Sequence, residues 1–90
     1  MAKQLFFVTA LSNPEAVKGK LNEAIGNTDD IYELSKNQWL AYYDGLTMPL
    51  AEKIGIRGDP HVGSGLVVAV GSYSGRAPST LWEWIKLRSE

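Results

Sequence analysis

Apolar and polar positions along this chain follow two periods, and the switch between them marks the elements. Residues 4–10 (Q-L-F-F-V-T-A) are short, apolar and rich in β-branched and aromatic side chains, which predicts a buried strand. Asn13-Pro14-Glu15 then reads as a helix start, with Asn13 as N-cap and Pro14 at the first helical position. Val17, Leu21, Ala24 and Ile25 recur on one helical face, and Gly26-Asn27 suits a C-cap. Residues 31–34 and 38–44 are two short strands joined by the hairpin residues Ser35-Lys36-Asn37. On the second of these, Trp39, Ala41 and Tyr43 share one face and Leu40 and Tyr42 the other. A second, short helix is expected over about 48–54, capped by Thr47 and stopped by Gly55. Residues 57–65 are a loop by composition, 65–71 (G-L-V-V-A-V-G) an unbroken apolar strand, and 72–78 a second loop. Thr80-x-x-Glu83 is a capping-box pattern opening a last helix to about Arg88, with Leu81, Trp84, Ile85 and Arg88 on one side and Trp82 elsewhere.

The order β-α-β-β-α-β plus a C-terminal helix is that of an α+β, ferredoxin-like sandwich. Right-handed βαβ halves give a four-stranded antiparallel sheet of order 4-1-3-2, with the first two helices on one face. Residues 66–70 then form an edge strand with no charge and no proline, which invites pairing with another chain. Two coverings are open: a twin molecule, or the C-terminal helix folding back with Trp82, Trp84 and Ile85 as a lid. The homodimer is the favoured expectation, with Leu66, Val68, Val70, Trp82 and Trp84 at its interface.

Ninety residues make a single domain, 1–90, able to bury about 60–65% of its unfolded surface. Nine Lys+Arg against ten Asp+Glu argue against a strongly basic nucleic-acid binder, though not against a local basic patch. The lack of cysteine rules out a disulfide framework, a thiolate zinc site and a cysteine nucleophile. No apolar run approaches the roughly 18–20 residues of a membrane span, and residues 5–10 are too short for a signal sequence, so a cytoplasmic chain without a membrane partner is expected.

Several stretches, F-F-V-T-A-L, L-N-E-A-I, S-K-N-Q-W-L-A-Y-Y, G-L-V-V-A-V and L-W-E-W-I-K, resemble the SinR-like family, small bacterial proteins related to the CRISPR-associated adaptation subunit and endoribonuclease family. The similarity runs from Leu5 to Lys86, mostly through core patterns. It implies a ferredoxin-like fold and a two-fold dimer. For nuclease-like relatives it also implies an aspartate ending strand 1, paired across the dimer around a divalent metal. Here that place falls at Ala10 or Leu11, without a carboxylate, and Ser12 and Asn13 are poor substitutes for one. Nuclease activity is therefore not carried over.

The remaining candidate chemistry lies in loops. His61, in Asp59-Pro60-His61, could form a general-base pair but has no neighbouring nucleophile and no second histidine for a metal. Residues 72–80 combine hydroxyls, Arg76 and a helix start, a combination that can hold phosphate or carboxylate, yet the spacing is not that of a P-loop. The plain alternatives are an exposed loop histidine and a connector whose Ser79 or Thr80 only caps a helix. Asp29, Asp30 and Asp44 fit solvated turns better than metal ligation. The aromatic load could stack single-stranded bases, but core packing explains it more simply. Lys18, Lys20, Lys36, Arg57 and Arg76 form a patch only if the fold gathers them.

The expectation from sequence is a non-catalytic homodimeric binding protein with no cofactor and no catalytic or metal residues. It would contact an anionic ligand, nucleic acid or a protein through loops 57–65 and 72–80, using Arg57, His61, Ser74, Arg76 and Ser79. Two alternatives stand beside it: a metal-dependent endoribonuclease resembling the CRISPR-associated relatives, and a phage- or plasmid-type protein that inhibits a host complex.

Overall fold

A computed structural model describes residues 3–89; Met1, Ala2 and Glu90 lie outside them. The elements run β1 (Gln4–Ala10), α1 (Pro14–Ile25), a 3-10 turn (Thr28–Asp30), β2 (Ile31–Ser35), β3 (Gln38–Tyr43), α2 (Thr47–Lys53), β4 (Gly65–Ala69) and α3 (Ser79–Ser89). They form an α+β fold with one antiparallel sheet of order β2-β3-β1-β4.

Strand alternation divides the sheet into two faces. Phe6, Val8 and Ala10 of β1, with Trp39, Ala41 and Tyr43 of β3, meet Val17 and Leu21 of α1 and Leu50 of α2. Ile54, just past α2, completes that core, and Trp39, Phe6 and Leu21 are fully buried there. Leu5, Leu40 and Tyr42 point the other way, where Leu81 and Ile85 of α3 cover them. The sheet is thus sandwiched between α1 and α2 on one side and α3 on the other.

Local chemistry departs from the expected caps in three places. Asn13 stands at the N-cap of α1 but in a left-handed conformation (φ 48°), and its side chain makes no capping bond. Its amide donates instead to the Val62 carbonyl at 2.8 Å, fastening the β1–α1 junction to the loop before β4. Thr47 is the first helical residue of α2, with Leu46 at the N-cap. The capping box at Thr80 does not form as drawn, because α3 already begins at Ser79 and the Thr80 hydroxyl lies 2.9 Å from that of Tyr32. A tertiary bond outcompetes a local one in the first and last cases. The 3-10 turn, which periodicity does not predict, is capped by the Asn27 side chain accepting from the Asp29 amide at 3.0 Å.

Candidate functional site

The two edges of the sheet differ in kind. β2 carries a register irregularity between Glu33 and Ser35, and Glu33 is ion-paired to Lys18 at 3.1 Å. A bulge and a charge are both ways of blunting an edge. β4 has neither. It pairs with β1 in the register Phe6↔Ala69, Phe7↔Val68, Val8↔Val67, Thr9↔Leu66 and Ala10↔Gly65, and no strand among the described residues pairs with its other side. The strand closes at Ala69, two residues before the expected end, although the Val70 amide still donates to the Leu5 carbonyl at 2.9 Å.

α3 covers only the Val70 end of this edge and leaves Leu66 and Val68 open. It lies toward β2, clasped by aromatic and polar contacts. The Trp84 ring packs on Tyr32 and Tyr42 at centroid distances of 5.7 and 5.6 Å, and its indole N–H donates to the Asp29 carbonyl at 2.8 Å. The Arg88 guanidinium stacks 4.7 Å over the Trp84 ring and also donates to the Asp29 carbonyl. Asp30 sits between Arg88 (3.3 Å) and Lys3 (2.7 Å). Asp29 and Asp30 therefore anchor a helix rather than lying free in a turn. Of the residues assigned to a dimer interface, Trp84 and Val70 are already packed in the α3 cluster, and Trp82, half-buried, stacks on Tyr73 at 6.2 Å. Leu66 and Val68 remain open, at 54% and 42% exposure. With half-buried Phe7 and Thr9 beside them in register, they make an apolar strip along the β4 side of the α3 face. Leu11, 74% exposed, continues β1 beyond the strip.

The loop before β4 is built rather than slack. Gly55 has a left-handed backbone (φ 79°), and a Cβ there would meet the Val62 side chain at 2.7 Å. The Val62 amide donates to the Gly55 carbonyl at 2.8 Å, and the Ser64 amide donates to the Ser12 hydroxyl at 2.8 Å. Arg57 borders a groove of about 300 Å³ between α2 and β4, lined also by Thr47, Met48, Ile56 and residues 65–67. On its other side it borders a second groove, with Lys20, Lys53, Glu52 and Asp59. His61 is exposed and 3.4 Å from the Asp59 carboxylate.

Ser74 and Arg76 are exposed in the segment after β4, and Ser79 opens α3. Gly65 pairs with the end of β1 and Val70 with its beginning, so the two candidate loops leave β4 at opposite ends. Arg57 and His61 are therefore not on one surface with Ser74, Arg76 and Ser79 within a single chain. The basic residues scatter likewise: Lys18 and Lys36 flank a groove with Glu15 and Glu33, Lys20 and Arg57 share another, and Arg76 stands apart. Arg57 and Arg76 make no ion pair among the described residues.

Where the resemblance implies a strand-end aspartate, the chain has Ala10, buried in the core, and exposed Leu11. Among the described residues no group of three or more His, Asp or Glu is arranged to hold a metal ion, and no helix is long and apolar enough to cross a membrane. Met48 and Ile56, which the sequence did not single out, and Thr47, read there only as a helix cap, join Arg57 in its groove; the α2–β4 contact that brings them together leaves no mark in local spacing. Comparison with models of known protein families, with curated proteins and with solved structures finds no match.

Proposed function

We propose that this chain is a small cytoplasmic binding protein of ferredoxin-like fold that acts as a homodimer and does no chemistry of its own. The observation that carries the reading is the unblunted edge of β4, with Leu66 and Val68 left open beside it while the opposite edge is protected. A strand of this kind exposes backbone donors and acceptors to any extended partner, and the apolar strip adds the hydrophobic part of such a contact. The resemblance to the SinR-like family fits the same reading, since it implies a two-fold dimer. For an anionic ligand, nucleic acid or protein, the surfaces on offer are loop 57–65 with Arg57 and His61 and, at the other end of β4, loop 72–80 with Ser74, Arg76 and Ser79.

Sedimentation velocity over a concentration series tests this. The expected species has twice the 9.9 kDa mass of the chain; a chain that sediments as a monomer at every concentration overturns the dimer. Incubation with single-stranded RNA and magnesium tests the other half. The RNA is expected to stay intact, and cleavage that EDTA stops would make the chain an enzyme.

A further inference from the structure

The geometry points to one mode of self-association: β4 pairs antiparallel with the β4 of a second copy about a two-fold axis through Val68. This rests on the homodimer proposed above and specifies its register. In an antiparallel pair, successive residues alternate between hydrogen bonds to the neighbour and groups turned away from it. The Val70 amide bonds to Leu5 and the Leu11 amide to the Ser64 carbonyl. With the register Phe7↔Val68 and Thr9↔Leu66, this turns the backbone groups of 66, 68 and 70 toward β1 and those of Val67 and Ala69 outward. The outward pair is the one a new strand would use.

The order of side chains selects the occupant. Gly65-Leu66-Val67-Val68-Ala69-Val70-Gly71 has the same character read from either end: glycine at both limits, aliphatic residues between, Val68 at the centre. Only a strand meeting itself head to tail profits from such a palindrome. Centred on Val68, the two-fold sets Val67 against the partner's Ala69, so both outward-facing residues find matching groups. Leu66 meets the partner's Val70, and Val68 meets the partner's Val68 on the α3 face, where the two open strips merge. Centring on Val67 or Ala69 keeps the hydrogen-bond parity but leaves one glycine of each copy unmatched. The sheet becomes continuous across eight strands, four from each copy. Antiparallel pairing also sets Gly65 beside the partner's Gly71. The Arg57 loop of one copy and the segment after β4 of the other, separated within one chain, thus come to the same end of the joint sheet.

The chain has no cysteine, so single-cysteine variants report the register directly. Val68→Cys, Val67→Cys and Ala69→Cys are each oxidised mildly and run on a non-reducing gel. In the proposed register the two 68 positions are a directly opposed, non-hydrogen-bonded pair within disulfide reach, whereas the 67 and 69 positions each meet their own copy only diagonally. The expected result is loss of the monomer band for Val68→Cys alone, and cross-linking of Val67→Cys when mixed with Ala69→Cys. Self-linking of Val67→Cys or Ala69→Cys in place of Val68→Cys overturns the register. A chain that sediments as a dimer while none of the three variants links pairs by another surface, which overturns this inference and leaves the homodimer standing; a monomer overturns both. Hydrogen exchange on the unaltered chain gives a reading free of any folding defect: the amides of Val67 and Ala69 gain protection with rising concentration, and unchanged exchange there overturns the pairing.

Discussion

Replacing Val68 with lysine asks whether the β4 edge is where two copies meet. Val68 is 42% exposed in the single chain. Full burial of an aliphatic side chain is worth about 1.5–3 kcal/mol, so the portion still open can contribute ~0.6–1.3 kcal/mol per copy on pairing. The two-fold counts it twice, ~1.3–2.5 kcal/mol. Lysine forfeits this and sets two ammonium groups across the axis. At about 5 Å that repulsion costs ~1–3 kcal/mol between the limits of bulk water and a protein surface. Together the loss is ~2–5.5 kcal/mol, a weakening of the dimer by roughly 30-fold to 10,000-fold at 1.4 kcal/mol per decade. Sedimentation equilibrium of both proteins over the same concentrations reads this as a shift of the monomer–dimer midpoint. Leu34→Lys is the control, because Leu34 has a similar exposure of 38% but lies on β2, at the opposite edge. Unchanged self-association in Val68→Lys, or an equal loss in Leu34→Lys, would refute the reasoning.

Other substitutions probe the two faces and the strand pairing. Leu21→Ala, in the core beneath α1, is expected to cost about 2–5 kcal/mol in urea unfolding, whereas Leu87→Ala, at 71% exposure, stays within about 0.5 kcal/mol; equal effects would contradict the layer assignment. Trp84→Phe removes the indole donor to Asp29 while keeping a ring against Tyr32 and Tyr42, and should lower stability by about 1 kcal/mol. A loss no greater than that of Leu87→Ala would show that the clasp does not hold α3. Gly65→Ala drives a Cβ into the Thr9 carbonyl oxygen, so β1 and β4 must separate locally, and a destabilisation of about 1–3 kcal/mol is expected. Thermal melting checks it, and an unchanged midpoint would mean that the strands are not held that close.

The strands and α1 were legible because their signals are periodic and local. β1 is the buried strand its composition predicts, β3 alternates as written, and Val17 and Leu21 fall on the buried stripe. The strand order followed from handedness and connection rules alone. The placement of α3 did not, because the stripe of Leu81 and Ile85 identifies an apolar face without naming its target. That target is fixed by Trp84 and Arg88 reaching Asp29 and Asp30, more than fifty residues away. Asn13 misled for a related reason: a side chain suited to capping is equally suited to binding a distant carbonyl, here that of Val62. The separation of Arg57 from Arg76 was implicit in the topology, since loops before and after one strand leave from opposite ends. Loop composition alone conceals it, because composition carries no direction.

The asymmetry between the two borders of the sheet limits how far association can go. A molecule adhesive on both sides would add copies indefinitely and grow into a fibre. Here one border carries a register irregularity and a paired carboxylate, so the proposed pairing of two molecules would consume the adhesive side of each. A dimer paired as proposed would terminate itself, and a mutation that restored a regular register at Glu33 and removed its charge would be the step toward polymer.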